Sequence, residues 1–253
     1  MWALVLTGGN ITGAFPAGAV RGILNAGYRP EIITGTSVGA LNGGFLVSRA
    51  ARAKHGGRID WPTIGAKLTD FWLREITGPD KLLKRRSALD IGWRALTRQW
   101  AGLVDMEKLY QLVRRTISAE DFVDPPVRAA FGAVSLDTGA ILYCPDDPET
   151  QGRVIDYIIA SSQEPIGMPL YPIGEQSFYD RGLRDLAPLD RAIRLAATEI
   201  VCVACQPEDV GTLGPEFDRG DPMALVGRVM EIVANELLNG DLEILLETNR
   251  LIA

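Results

Sequence analysis

Histidine is almost missing from this chain: of 253 residues only His55 is one. It falls in Ala53-Lys54-His55-Gly56-Gly57-Arg58, a polar stretch that reads as an exposed loop after a helix. Where a Ser-His-Asp triad is built on an α/β sheet, the histidine lies far downstream of the serine, and none lies there. A hydroxyl nucleophile in this chain therefore needs a carboxylate or a lysine as its base. Cysteine is scarce too, with three residues and no paired spacing of the secreted kind, which points to a reducing, cytoplasmic setting. Cys202 and Cys205 form a CxxC, but inside the apolar run EIVCVAC, which reads as a core strand with structural cysteines rather than a redox pair. No hydrophobic run reaches the length of a membrane span, and Met1 to Leu6 enters a strand at once, leaving no room for a signal peptide. A net charge of −6 argues against a nucleic-acid partner. GxGxxG, GKS/T and YxxxK are absent, and no His/Cys/Asp cluster has ligand spacing, so neither a nucleotide cofactor nor a metal is expected.

What is present centres on Glu31 to Gly44, EIITGTSVGALNGG. Glu31-Ile32-Ile33-Thr34 reads as a short buried strand. Gly35-Thr36-Ser37-Val38-Gly39 matches GxSxG, and Ala40, Leu41, Phe45, Leu46 and Val47 follow with helical spacing. A serine between strand and helix with glycine on either side is a nucleophile elbow. Gly35 and Gly39 let the backbone turn sharply, exposing the Ser37 hydroxyl and leaving the Val38 N–H at a helix N-terminus. The competing reading is a glycine-flanked helix N-cap.

Upstream, Trp2 to Leu6 forms a second strand, ending in Thr7-Gly8-Gly9-Asn10-Ile11-Thr12-Gly13, with a helix over 14–26 and Gly27 as its C-cap. Phe15, Ala19, Ile23 and Leu24 mark the expected packed face. Backbone N–H groups in such a loop hold negative charge. Phosphate, a plain structural turn and the oxyanion of a tetrahedral intermediate are the three readings, and the failed nucleotide fingerprints favour the last. Two successive βα units imply parallel strands whose loops emerge together at the carboxyl ends. The length fits one α/β domain over 1–253.

Residues 58–124 differ in character, mixing Trp61, Phe71, Trp72, Trp93 and Trp100 with eight cations from Lys67 to Arg98. Amphipathic helices with aromatics inward and cations in water explain this; so does a cap or interfacial segment that meets an anionic lipid surface. Beyond it, 127–134 and 140–144 read as a hairpin around Gly139, and 153–160 as a helix. Asp180 enters a turn at Gly182, which by itself fits a plain turn aspartate or a helix cap. After the strand at 199–205, residues 223–238 and 242–251 read as two amphipathic helices split at Asn239-Gly240-Asp241.

Four of these motifs occur together and in order: the glycine loop at 8–13, GxSxG at 35–39, Ala160-Ser161-Ser162 with a proline downstream, and the aspartate turn at 180–182. In this the chain resembles the patatin-like phospholipases, lipid acyl hydrolases with a Ser-Asp dyad. The resemblance implies a three-layer α/β sandwich with a mostly parallel central sheet and helices on both faces. It implies that Ser37 is the nucleophile, Asp180 its base, and Gly8, Gly9, Asn10 and Ile11, with Val38, the oxyanion hole. It implies a lipid or phospholipid substrate, no cofactor, and peripheral membrane contact. The chain departs from the family where GGGxRG or GGGxKG is usual, with Asn10 and Thr12 in place of a glycine and a cation. It departs again where DGG or DGA is usual, with Arg181 for the middle glycine. If that position needs a positive φ, Asp180 is held differently. A lipid-binding protein that has lost the chemistry is the alternative these departures keep open.

Overall fold

The computed structural model describes residues 1–9, 13–207 and 209–252. In chain order its elements are β1 (Trp2–Leu6), α1 (Ala14–Asn25), β2 (Ile32–Gly35), α2 (Val38–His55), α3 (Trp61–Glu75), β3 (Lys84–Arg85), α4 (Ala88–Leu96), β4 (Val104–Asp105) and α5 (Glu107–Thr116). Then follow β5 (Arg128–Ser135), β6 (Ile141–Cys144), α6 (Val154–Ser161), β7 (Tyr171–Ile173), β8 (Gln176–Asp180), α7 (Leu189–Arg194), β9 (Glu199–Val203) and α8 (Pro222–Ile252).

The fold is α/β with a central seven-stranded sheet in the order β7-β8-β5-β2-β1-β9 and β6 paired to β5. β9, β1, β2 and β5 run parallel, while β6, β7 and β8 join antiparallel. Strand alternation builds the layers. Leu4, Leu6 and Ile33 point into a core shared with α1, α2, α3, α5 and α6. Ala3, Val5 and Ile32 point the opposite way, to α7 and to Leu238 of α8. Strands buried on both faces are continuous apolar runs, as IITG and WALVL are.

Register brings the functional turns together. β2 lies level with β5 up to the pair Gly35 and Phe131, and Asp180 on β8 pairs with Ala133, two residues further along β5. Two residues past Gly35 is Ser37, so both leave the sheet at about the same height.

Three expectations need correction. The packed face of α1 is Pro16, Ala17, Val20 and Leu24, with Phe15 turned to solvent on the opposite side of the first turn from the buried Pro16 and Ala17. His55 is not in a loop but is the last residue of α2, exposed there. The C-terminal helices are a single helix, α8. A glycine inside a helix costs only about 1 kcal/mol, and Asn239, just before it, sits in the helix with its side chain donating to Asn235 Oδ1 at 3.2 Å.

Residues 58–124 divide between both readings. Trp61, Phe71 and Trp72 are core residues. On α4, by contrast, Leu89, Trp93 and Leu96 are 87%, 65% and 80% exposed, one turn apart along one side. None of the described helices is long and apolar enough to cross a membrane.

Candidate active site

The elbow is made by close approach. A Cβ on Gly35 would overlap the Gly39 carbonyl, and one on Gly39 would overlap the Leu6 carbonyl. With both positions bare, β1 and the start of α2 touch, and the residue between is forced to φ 56° and ψ −129°. That residue is Ser37, left-handed without being glycine. Such backbone costs on the order of 1–3 kcal/mol and persists only where its surroundings over-determine it. Here the Ser37 N–H donates to Ser161 Oγ at 2.8 Å and the Thr36 N–H to the Leu6 carbonyl at 3.1 Å. The Val38 N–H, at the first position of α2, has no hydrogen-bond partner among the described residues.

Asp180 reaches the same place from the other side. Its N–H donates to the Gln163 carbonyl at 2.9 Å and its Oδ1 accepts from the Gly182 N–H at 2.8 Å, and it lines the same cavity as Ser37. Both residues are 8% exposed. Burial pushes the Asp180 carboxyl up to about 7, against the opposing pull of the Ser37 hydroxyl and the Gly182 N–H; the nearby Glu164 carboxyl pushes the same way as burial. His55 is out of reach, because α2 separates it from Ser37 by 17 residues of helix, about 25 Å.

Gly8 lies against the serine: a Cβ there would come within 3.0 Å of Ser37 Cβ and 2.7 Å of Leu186 Cδ1. Gly9 lines the cavity beside Ser37. Asn10, Ile11 and Thr12 lie outside the described residues. The far end of the loop is anchored by Asn42, which donates to the Gly13 carbonyl at 3.2 Å and accepts from Trp72 Nε1 at 2.7 Å. Ser161, fully buried, falls in the Ala160-Ser161-Ser162 motif, which assigns it no role; Asn42, also fully buried, lies in no motif, and only a polar residue amid apolar helix positions hinted at it.

Arg181 resolves differently from the expectation. Its φ is not positive, and residues 181–183 form a single 3₁₀ turn. The side chain, 0% exposed, runs inward. Its Nη1 donates to Thr36 Oγ1 at 3.1 Å, its Nη2 ion-pairs with Asp185 and lies 3.5 Å from Asp190, and its guanidinium sits 4.8 Å from the Tyr143 ring centre. Gly132 makes the space, since a Cβ there would overlap Arg181 Cδ. A cation thus ties the aspartate turn to the residue preceding Ser37.

Two cavities meet at Ser37. One, of about 30 Å³, is lined by Gly9, Asp180, Glu164 and Gln206 and closed by Met230 and Ala234 of α8. The other, of about 300 Å³, is walled by Val38, Leu41, Trp72, Leu82, Met106 and Leu109 among others. No group of three or more potential metal ligands occurs among the described residues. The thiols of Cys202 and Cys205 are unpaired and burial pushes them up to about 12 and about 11, which suits structural rather than redox cysteines.

An α/β sheet with a glycine loop after its first strand and a GxSxG elbow after its second defines the acyl-hydrolase class of site. A family model described as patatin-like phospholipase matches residues 4–193, and the chain belongs to that family, one of lipid acyl hydrolases. The match ends before β9 and α8. Among solved structures, the chain is similar to VipD from Legionella pneumophila, at 14% identity and a TM-score of 0.41, covering 79% of this chain. It spans about half, 49%, of the length of that protein's chain. The search of curated proteins found no match.

Proposed function

We propose that this protein is a serine acyl hydrolase that cleaves carboxylic esters of lipids through Ser37 and Asp180. The observation that carries the reading is one juxtaposition: a serine on strained backbone shares a cavity with a carboxyl that burial pushes up to about 7. A carboxylate at its ordinary pKa near ~4 is a weak base for a hydroxyl. Burial removes much of that mismatch. Asp180 takes the Ser37 proton as Oγ attacks the ester carbonyl. The tetrahedral oxyanion is held by N–H groups of Gly8, Gly9 and Val38, together with Asn10 and Ile11. Asp180 then gives the proton to the departing alkoxide, and a water activated by the same carboxylate releases the fatty acid.

The apolar cavity suits the acyl chain, with the carbonyl at its inner end beside Ser37. The outward stripe of Leu89, Trp93 and Leu96, flanked by exposed Lys84, Arg85 and Arg98, suits contact with an anionic lipid surface. The chain acts as one domain over 1–253, with the exposed α4 stripe within 58–124 as its interfacial part.

Hydrolysis of a short-chain p-nitrophenyl ester and of mixed phospholipid vesicles, compared with Ser37→Ala, tests the reading. Turnover that vanishes in the variant is expected. Folded protein whose Ser37 neither turns over ester nor takes a fluorophosphonate label would sink it and leave a lipid-binding protein.

A further inference from the structure

Glu164 and Ser37 are the two residues common to both cavities at the site. Glu164 is held there by its neighbours in sequence. Ser161 accepts from the Ser37 N–H and the Gln163 carbonyl accepts from the Asp180 N–H, so the segment after α6 is tied to both candidate catalytic residues. The Glu164 N–H contacts Met168 Sδ at 3.2 Å, and its carbonyl accepts from the Met168 N–H at 3.0 Å. Its carboxyl, however, has a buried Oε1 with no hydrogen-bond partner. Burial alone pushes this acid up, and no cation opposes it.

The charge around Ser37 is therefore one-sided. The small cavity presents two carboxyls, Asp180 and Glu164, and no lysine, arginine or histidine among its described lining residues. The residues outside the description, at 10–12, 208 and 253, include no cation either. Arg181 is sealed inside the protein on Asp185 and Asp190. Arg85 lines the apolar cavity, not the small one, and its exposed guanidinium pairs with Asp221 at 3.3 Å. A leaving group with a phosphate would come to rest beside the Asp180 carboxyl, whose ionised form is the proposed base, with no cation among the described lining residues to receive it and little water to screen it. A leaving group with hydroxyls would instead supply Oε1 with the hydrogen bond it lacks.

We infer that the site takes acyl esters of uncharged alcohols, acylglycerols, in preference to glycerophospholipids, and that Glu164 sets this choice. The inference rests on the acyl-hydrolase reading and narrows its substrate.

The test compares kcat/KM for monodecanoylglycerol and for its phosphate monoester, both kept below their micelle-forming concentrations. The native chain should favour the uncharged ester by at least about tenfold. Glu164→Gln should shrink that ratio, and Glu164→Lys should shrink it further or reverse it. The ratio is taken within each variant, so a general loss of rate cancels, and fluorophosphonate labelling of Ser37 reports that each variant is folded. A native enzyme that prefers the phosphate ester, or a ratio that neither variant moves, overturns the inference. If neither ester and no p-nitrophenyl ester is hydrolysed, the hydrolase reading has fallen by itself. Titration of the same two ligands, read by fluorescence of Trp72 in the cavity wall, then decides the charge preference. Tighter binding of the uncharged ligand that Glu164→Lys abolishes supports it; equal binding overturns it.

Discussion

The two turns that meet at the site are built on opposite principles. Around Ser37 the backbone is packed on backbone: Gly35 against Gly39, Gly39 against Leu6 and Thr7. No side chain can be added there without moving a strand. Around Asp180 the geometry is held by hydrogen bonds and a buried ion pair, and the nearest neighbours of Gly182 are the flexible end of Leu186 and the Asp180 carboxyl itself. This contrast explains why the first turn keeps the family pattern to the residue while the second departs from it at Arg181. A turn held by side chains accepts a new residue if its partners come with it. Here Thr36, Asp185, Asp190, Tyr143 and the bare Gly132 all do.

The largest effect should come from the contact between the turns. Asp180→Asn keeps the shape and removes the base, and should lower kcat on a soluble ester by at least about a hundredfold. In the native chain the ascending limb of kcat/KM against pH should have its midpoint at about 7, since the ionised form is the base. Stability should move the other way. The folded pKa lies above the unfolded one, so the native state binds the proton more tightly and is at its most stable below about 4, the unfolded value. It loses stability as pH rises to about 7, by roughly 4 kcal/mol at the upper limit. Asp180→Asn should reduce that slope in urea unfolding, leaving the part that Glu164 and Asp241, also pushed up by burial, contribute; a slope the substitution leaves unchanged would contradict the assignment.

Next come the turns themselves. Arg181→Met leaves the partly buried Asp185 without its cation and should cost up to about 3–5 kcal/mol in urea unfolding. Arg181→Met with Asp185→Leu should recover much of this, because a buried ion pair replaced by apolar residues is often neutral. Gly39→Ala forces a methyl onto two carbonyls and should cost about 3 kcal/mol or prevent folding. If the double variant is no better than the single one, the ion pair is not what holds the second turn.

Legibility in the sequence followed the same division. The elbow, both βα units, the hairpin at Gly139 and the helix before Ser161 could be read because strand alternation, helical spacing and glycine placement are local signals. Asp180 could be connected to Ser37 only through the order of family motifs, since a turn aspartate carries no local mark of its partner. Arg181 looked like a backbone problem because its partners, Thr36, Gly132 and Tyr143, are scattered over more than a hundred residues. The same holds for Glu164, which no motif flags. The face of α1 and the continuity of α8 differ from what spacing and a single glycine suggest because tertiary packing overrides both. In 58–124, composition could not tell the core tryptophans from Trp93 and Trp100, because amphipathic spacing marks a stripe without saying what covers it.

The smallest predicted effect is the sharpest test of the comparison. A Cβ on Gly182 would lie 3.1 Å from Leu186 Cδ1 and 3.3 Å from Asp180 Oδ1, with no backbone in the way. Its φ is not in the left-handed region, so alanine brings no backbone penalty. The Gly182 N–H that holds Asp180 survives the substitution. Leu186 need give only a few tenths of an ångström. Gly182→Ala should therefore shift stability by less than about 1 kcal/mol and kcat by less than about tenfold, in a chain where the same change at Gly39 is ruinous. Equal damage from both would mean that the aspartate turn, too, is closed by backbone contact, and that Arg181 is a passenger in it rather than its anchor.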